Sequence, residues 1–197
     1  ISARVFRISF SGELAFEINV SADDGVALWE SLMEAGSEYD ITPYGTETMH
    51  VLRAEKGYVI VGQDTDGSVT PADLGMEWIV SKTKDFIGKR SLVRSDMLRE
   101  NRKQLVGLVT DQPQKVLPEG TQLVNEPSTD YPVPMTGHVT SSYYSSILGR
   151  SIALALVKGG HSRLGASVYA PTLDGKLIEA IITSPVFYDP ENRLHKT

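Results

Sequence analysis

Six short β-rich stretches in the second half of the chain constrain its fold more than any other feature. They lie between residues 105 and 183, and turns containing Gly, Pro or Asp separate them. Short strands at this spacing are typical of a small antiparallel barrel or sandwich, so the sequence predicts a C-terminal antiparallel β-barrel or a sandwich of the same strands. The stretches are Leu105–Thr110, Thr121–Asn125, His138–Tyr144, Ile152–Lys158, Ser167–Ala170 and Leu177–Thr183.

The first part of the chain has a different pattern. Arg4–Phe10 and Phe16–Val20 alternate apolar and polar residues around a Gly-containing turn, which predicts a β-hairpin. Apolar residues then recur at helical spacing twice, and the pattern stops at Gly36 and again at Gly57. A capping-box pattern starting at Ser21 marks the beginning of the first helix. Strand, strand, helix, helix predicts an α+β layer.

Three further elements are predicted between these helices and the barrel. Gly62–Pro71 is rich in turn residues and predicts a loop. Leu74–Val80 is apolar enough for a buried strand. Gly88–Arg99 has apolar residues at helical spacing, which predicts a helix with Leu92 and Leu98 facing inward.

The change of pattern places a domain boundary near Asn101, so we predict an α+β domain over residues 1–101 and a β domain over residues 102–197. The chain starts with Ile1 rather than Met, inside residues that already form a strand pattern. Because domains rarely start in mid-strand, we expect this chain to be part of a larger protein.

Composition excludes several classes of protein. The 197 residues contain no Cys, which excludes a disulfide framework, a thiolate metal site and a Cys nucleophile. The net charge of −6 argues against general nucleic-acid binding. No apolar run is long enough to span a membrane and no signal-peptide pattern occurs, so we predict a cytoplasmic location.

Short motifs exclude further functions. The four His residues are far apart in the sequence and show no metal-binding spacing. No nucleotide-binding Gly loop and no GxSxG motif occurs. Asp64–Gly67 (DTDG) is similar to the start of a calcium loop but lacks the downstream ligands, so we predict a plain turn.

Four local patterns occur in a specific order. They are Phe10–Ile18 (FSGELAFEI), Leu52–Gly57 (LRAEKG) with Gly62–Asp64, Pro71–Trp78 (PADLGMEW) with Asp85–Lys89, and Gly137–Ser142 with Leu148–Ala155. Together they resemble the aminomethyltransferase family, which contains the glycine-cleavage T-protein. Met49–Gly57 and Val61–Gly67 resemble in particular the branch found at the C-terminal end of the α subunit of heterotetrameric sarcosine oxidases. The resemblance covers the whole chain but only the later part of the family fold.

The resemblance implies a tetrahydrofolate site in which Glu17 binds the pterin. A carboxylate can accept hydrogen bonds from the 2-amino group and the adjacent ring N–H of a reduced pterin as a bidentate pair. From the residues alone, the usual expectation for a strand Glu is exposure to solvent, or pairing with Arg4 or Arg7 across the hairpin. The resemblance reverses that preference.

Three more residues are implied at the folate site. Phe10 stands where relatives often have a Tyr, and its ring can still line a pterin without the hydroxyl contact. Trp78 matches a family Trp beside the ligand, although a Trp in an apolar run is more often part of a core. Relatives commonly have an Arg near Met49 to bind the folate tail, and Arg53, one helical turn later, is the candidate substitute.

The implied function is that of the folate-binding, one-carbon-transfer region of a sarcosine-oxidising complex, an oxidoreductase with an aminomethyltransferase-like domain. Amine oxidation elsewhere yields an iminium whose one-carbon unit becomes 5,10-methylenetetrahydrofolate. The family's catalytic Asp belongs to the part preceding this chain, so we expect no catalytic residue here and no activity of the isolated chain. FAD, FMN and NAD are expected elsewhere in the complex, and the partners are folate, the rest of the α subunit and the other subunits.

Two other functions remain open or are set aside. A non-catalytic assembly domain with a vestigial folate pocket is the main alternative, and Phe10 and Met49 favour it slightly. A folate-binding iron–sulfur assembly relative is set aside because that branch carries a Lys-Gly-Cys-Tyr motif, whereas this chain reads Lys56-Gly57-Tyr58 and has no Cys.

Charge is concentrated in one segment. Lys82–Lys103 carries a net charge of +5, which leaves −11 on the rest of the chain. A solvated helix face is the usual explanation for such a run. The alternatives are steering of polyglutamyl folate or docking on a partner subunit.

Overall fold

The computed structural model of the protein describes residues 1–128 and 132–196. Contacts between Cα atoms divide it into two compact units, one formed by Ile1–Arg53 with the residues from Asp189 onward, the other by Ala54–Tyr188. No helix within the described ranges is both long and apolar enough to cross a membrane. The elements are β1 Arg4–Phe6, β2 Glu17–Asn19, α1 Gly25–Gly36, α2 Thr46–Glu55, β3 Lys103–Thr110, β4 Gln122–Val124, β5 Met135–Ser145, β6 Arg150–Lys158, β7 Ser167–Pro171, β8 Leu177–Thr183 and α3 Arg193–Lys196.

Strands β3 to β8 form a closed antiparallel barrel in the order β3-β6-β5-β4-β7-β8. All six predicted stretches are strands, so the predicted α+β fold class with a C-terminal barrel is confirmed. The sheet closes rather than forming a sandwich because β3 pairs on both edges, with Leu108 opposite Ala153 of β6 and Ile182 of β8. The domain boundary near Asn101 remains a prediction.

Strand β6 is buried on both faces. Residues 152–157 of this strand are apolar without interruption because alternate side chains enter two different cores. Residues that face the barrel interior are Ala153, Ala155 and Val157. Ile152, Leu154 and Leu156 face the outside of the barrel. There they pack against the buried Ala54 and Leu105 and the half-buried Val59, Val69, Leu74 and Phe187. The segment from Ala54 to Leu74 therefore covers the outer face of the barrel.

The first unit contains the predicted hairpin and helix. Strands β1 and β2 pair antiparallel with Arg4 opposite Asn19 and Phe6 opposite Glu17, but each strand is only three residues long. Helix α1 ends at Gly36 as predicted. The capping-box prediction is wrong, because the Ser21 side chain makes no capping hydrogen bond and a short 3₁₀ turn precedes the helix.

Helix α2 runs from Thr46 to Glu55, and Gly57 follows its end as predicted. Gly57 has a left-handed φ of 68°. A Cβ at this position would lie 2.6 Å from the carbonyl oxygen of Pro185, so both the backbone conformation and the space require Gly.

Two predicted elements are wrong. Leu74–Val80 is not a strand: Gly75 has a left-handed φ of 69°, and only a 3₁₀ turn over Glu77–Ile79 follows. Gly88–Arg99 is not an α-helix: a 3₁₀ helix over Lys89–Val93 gives way to turns, and Leu98 is exposed rather than inward. In both stretches the residues that favour turns determined the backbone conformation, although the spacing of the apolar residues matched a strand or a helix.

The loop after α2 is fixed to the barrel by a fully buried carboxylate. Asp64 Oδ1 accepts hydrogen bonds from the hydroxyls of Thr140 at 2.5 Å and Ser141 at 2.6 Å on β5. Asp64 Oδ2 accepts from the backbone N–H of Ile60 at 2.9 Å. Gln63 Nε2 adds a bond to Ser141 Oγ at 3.1 Å. Because a buried carboxylate is stable only with donors around it, the loop conformation and the barrel specify each other.

A second buried carboxylate anchors the next part of the segment. Asp73 is 3% exposed and binds Arg102 through Nε and Nη2, the shortest distance being 2.6 Å. The hydroxyl and backbone N–H of Thr70 also donate to Asp73. The Asp73 carbonyl accepts from Leu105 N–H at the start of the barrel. Burial raises the pKa of Asp73, but the hydrogen bonds from Arg102 and Thr70 outweigh burial and hold that pKa below its ordinary value.

Asp64→Ala is expected to lower the free energy of unfolding by about 2–4 kcal/mol, because two hydroxyls and a backbone N–H lose a charged acceptor in a buried site. Urea denaturation followed by circular dichroism measures the change. Asp111→Ala removes an exposed carboxylate next to the barrel and serves as the control. Equal stability of the two variants would contradict the anchoring role of Asp64.

The Asp73–Arg102 pair is expected to make stability depend on pH. Because the folded-state pKa of Asp73 is below the ordinary 3.8, the stabilisation is fully present above that value and is lost as the pH falls through the folded pKa. Arg102→Leu should cost about 3 kcal/mol at neutral pH and flatten the acid limb of the stability curve. Urea denaturation at a series of pH values tests this, and an unchanged acid limb in the variant would contradict it.

Candidate functional site

Glu17, the predicted pterin ligand, is an exposed residue at the start of β2. Its Oε1 accepts a hydrogen bond from Asn19 Nδ2 at 2.9 Å. The strand register places Phe6 opposite Glu17, and Arg7 donates to the carbonyl of His195 at 3.2 Å. The hairpin therefore presents a carboxylate that a neighbouring amide orients, at the surface of the first unit.

Phe10 and Arg53 also belong to the first unit. Phe10 is half-buried and lies in the turn between β1 and β2, where the hydroxyl of Ser9 accepts from Gly12 N–H at 2.9 Å. Arg53 lies in the last turn of α2 and is fully buried. A cation that binds the anionic tail of a ligand is normally accessible, so the burial of Arg53 gives no support to its assignment as the substitute for an Arg near Met49.

Trp78 lies in the second unit and is 81% exposed, so it is not a core residue. It lines a cleft of about 470 Å³ together with Lys82, Leu92 and Met97. Exposed aromatic rings beside a cation suit flat or anionic ligands, since the ring offers apolar area and the cation offers charge. The assignment of Glu17, Phe10, Trp78 and Arg53 to one folate site stays a prediction.

The carboxylates that position the Trp78 segment were missed by the sequence reasoning. Asp64 and Asp73 were recognised only as parts of motifs, and their partners Thr140, Ser141 and Arg102 come from distant parts of the chain. A weak signal existed, because the motif containing Asp64 and the motif containing Thr140 both belong to the family pattern. The sequence alone does not show that Asp64 and Thr140 are in contact.

Two other titratable groups lie near the Asp64 loop. Hydrogen bonds from the side chain and backbone N–H of Ser68 hold the pKa of Asp66 below its ordinary value. Burial, and secondarily the charge of Lys103, lowers the pKa of His138 on β5. His138 is therefore neutral at neutral pH.

The residues that the structure describes form no metal-binding site. Within residues 1–128 and 132–196, no group of three or more His, Cys, Asp or Glu side chains is placed to hold a metal ion. The turn at Asp64–Gly67 directs the Asp64 carboxylate to protein hydroxyls instead. The candidate ligand-binding side chains are therefore organic ones, and they lie in two places: on the hairpin of the first unit and in the Trp78 cleft of the second unit.

Comparison with known proteins gives two family matches. The GCVT N-terminal domain matches residues 1–84, and the glycine cleavage T-protein C-terminal barrel domain matches residues 103–189. The second match contains all six strands of the observed barrel. Together the two matches cover most of the chain.

Individual relatives agree with this assignment. Sarcosine oxidase subunit alpha of Corynebacterium sp. (strain P-1) is 54% identical over 97% of this chain and 20% of that subunit. The aminomethyltransferase of Thermotoga petrophila is 32% identical over 95% of this chain and 49% of that enzyme. The crystal structure of the glycine cleavage system aminomethyltransferase T from Bartonella henselae superposes with a TM-score of 0.80 at 25% identity, over 94% of this chain and 50% of that one.

The chain spans about a fifth of the length of the sarcosine oxidase subunit and about half of the aminomethyltransferases. Within those limits the matches include the hairpin, helices α1 and α2 and the barrel. The chain belongs to the aminomethyltransferase family of the glycine-cleavage T-protein.

Proposed function

We propose that this chain is the tetrahydrofolate-binding, one-carbon-transfer region of a sarcosine oxidase α subunit. The similarity to sarcosine oxidase subunit alpha along nearly the whole chain carries the proposal, because identity of 54% is far above that to the aminomethyltransferases, at 32%. In this function, sarcosine is oxidised to glycine and its methyl carbon is transferred to tetrahydrofolate as 5,10-methylenetetrahydrofolate.

Glu17 is proposed to recognise the pterin. Its carboxylate is exposed, and Asn19 orients it through one oxygen. A pterin that approaches the hairpin presents two adjacent N–H donors, and an ionised carboxylate accepts both more strongly than a neutral acceptor does. Phe10, in the turn between the same strands, supplies apolar area for the ring.

Trp78 is proposed to line the ligand as well. Because its ring is exposed, Trp78 is not a core residue, and this exposure supports a contact with folate. Arg53 stays the proposed substitute for the tail-binding Arg. Its side chain is buried, so binding of the folate tail requires Arg53 to become accessible in the full-length protein.

The rest of the chemistry is proposed to lie outside this chain. Transfer requires the folate nitrogen close to the iminium carbon and a base that removes the nitrogen-bound proton. We assign the base, and the FAD, FMN and NAD sites, to other parts of the full-length subunit and its complex. The partners are then tetrahydrofolate and those subunits, and a cytoplasmic location stays a prediction.

Glu17→Gln in the full-length protein is expected to weaken tetrahydrofolate binding at least about tenfold, about 1.4 kcal/mol, because an amide loses the charge and one acceptor of the bidentate pair. Isothermal titration measures the affinity. Formation of 5,10-methylenetetrahydrofolate should fall while sarcosine oxidation persists. Glu30→Gln, an exposed change on α1, serves as the control.

The second candidate function is assembly, with a vestigial folate pocket. Burial of Arg53 and the presence of Met49 favour it, since neither residue offers an accessible cation to the folate tail. The Glu17→Gln experiment separates the two functions. Unchanged affinity and unchanged products would reject the folate function in favour of assembly.

The isolated chain is expected to show no one-carbon transfer, because the proposed base lies outside it. Tetrahydrofolate titrated into this chain and into the full-length subunit should bind measurably only to the larger protein. Incubation with sarcosine and tetrahydrofolate, followed by chromatography for 5,10-methylenetetrahydrofolate, tests activity. Turnover by the isolated chain would contradict this assignment of the base.

A further inference from the structure

The loop between strands β1 and β2, residues 7–14, is held at both ends by one other segment of the first unit. At the start of the loop, Arg7 Nη2 donates a hydrogen bond to the carbonyl oxygen of His195 at 3.2 Å. At its end, the backbone N–H of Leu14 donates to the carbonyl oxygen of Leu194, also at 3.2 Å. Because the two accepting residues are consecutive, a single short stretch of backbone fixes both ends of the loop.

Both proposed pterin-binding residues depend on the path of this loop. Phe10 lies inside it, and Glu17 begins β2 three residues after Leu14. In the middle of the loop Gly12 is buried, has a left-handed φ of 90°, and donates its N–H to Ser9 Oγ at 2.9 Å. A hairpin of two three-residue strands is too short to specify such a loop alone, so contacts from outside the hairpin contribute to where the phenyl ring and the carboxylate stand.

The segment that holds the loop has a defined shape. We call residues 189–196 the clamp segment. The carboxylate of Asp189 accepts hydrogen bonds from the backbone N–H groups of Arg193 at 2.8 Å and Leu194 at 3.2 Å. The carbonyl oxygen of Asp189 accepts from the N–H of Asn192 at 3.0 Å. The Asp189 side chain therefore sets the turn from which the two carbonyl groups reach the loop.

The backbone of the clamp segment adopts conformations that are rare for residues with side chains. Asp189 and Asn192 have left-handed φ values of 44° and 54°, and within the described ranges Asp40 is the third non-Gly residue of this kind. Asp and Asn tolerate this region better than other residues, but it still costs free energy and persists only where the surrounding contacts determine it. Two of the three cases in one short turn indicate that its contacts specify the shape of the clamp segment.

The clamp segment contacts the loop through its backbone. The guanidinium of Arg193 pairs with the carboxylate of Glu191 at 2.6 Å, and Lys196 Nζ donates to the carbonyl oxygen of Glu191 at 3.3 Å. These two cations are thus engaged within the segment itself. The groups that it presents to the loop are neutral carbonyl oxygens, which fix position and direction, so a positioning role fits these contacts better than a charge-based one.

We propose that the clamp segment positions Phe10 and Glu17 for the pterin, with Asp189 and Arg7 as the positioning residues. The inference rests on the proposed folate function, which gives Phe10 and Glu17 their roles. Asp189 acts through the turn that it caps, and Arg7 acts through the end of the loop that it ties. A loop that is already ordered before the ligand arrives binds more tightly, because less conformational freedom is lost on binding.

The test compares four variants of the full-length protein. Asp189→Gly removes the carboxylate and can still adopt the left-handed backbone, whereas Asp189→Asn keeps an oxygen acceptor and tolerates the same backbone. Arg7→Ala removes the donor at the start of the loop. Arg4→Ala removes the same charge from β1 of the same hairpin and is the matched control.

Hydrogen–deuterium exchange followed by mass spectrometry reports on the loop without any ligand. Peptides that contain residues 7–14 should exchange at least about threefold faster in Asp189→Gly and in Arg7→Ala, while peptides of the barrel stay unchanged. Arg4→Ala should match the unmodified protein, and Asp189→Asn should stay within about twofold of it.

Isothermal titration with tetrahydrofolate reports on the positioning role. Asp189→Gly and Arg7→Ala should each weaken binding at least about threefold, the effect of losing one ordinary hydrogen bond, and Asp189→Asn should restore the affinity. The two weakening changes remove charges of opposite sign. A loss of affinity in the same direction therefore cannot come from the change in net charge.

Different results would overturn different steps. Unchanged exchange in residues 7–14 would reject the clamp, and faster exchange that includes the barrel would show a loss of overall stability instead. Faster local exchange with unchanged affinity, or an equal loss of affinity in Asp189→Asn, would reject the positioning role. If Glu17→Gln leaves the affinity unchanged, the folate function fails and the positioning role fails with it, whereas the exchange data still decide whether the clamp exists.

Discussion

Two buried carboxylates hold the irregular half of the second unit in place. Asp64 is surrounded by hydroxyls of β5 and Asp73 by the guanidinium of Arg102, and each loses its hydration only because protein donors replace it. The segment between them has no strand and no α-helix of its own. Its path across the outer face of the barrel, and therefore the position of Trp78, depends on these polar anchors together with the apolar contacts of Leu74 and Val69.

The second unit therefore combines a well-buried barrel with an exposed, irregular segment. Strand β6 is covered on both faces, so it is the most protected element, whereas residues 76–100 lie on the surface with little secondary structure. Rigid scaffolds that carry exposed, irregular segments are the usual architecture of binding sites. The proposed folate residue Trp78 lies on such a segment, and the proposed pterin ligand Glu17 lies on a short hairpin.

The strands of the barrel were predictable because each is encoded locally. Apolar residues between turn residues define Ile152–Lys158 and Leu177–Thr183 without reference to other parts of the chain. The errors occurred where local patterns competed: Leu74–Val80 has the composition of a strand, but Gly75 turns it, and the apolar spacing in Gly88–Arg99 belongs to exposed side chains. The family motifs pointed to Glu17, Phe10, Trp78 and Arg53, yet their exposure could not be read from spacing.

The sequence by itself determined the α+β class, the six barrel strands, the family and the concentration of positive charge in Lys82–Lys103, because all of these are properties of composition and short-range pattern. Only the tertiary structure decided that Trp78 is exposed, that Arg53 is buried and that Asp64 meets Thr140 across 76 positions of sequence. Burial and long-range pairing depend on which surfaces meet, and that information arises only when the whole chain minimises exposed apolar area while satisfying every buried polar group.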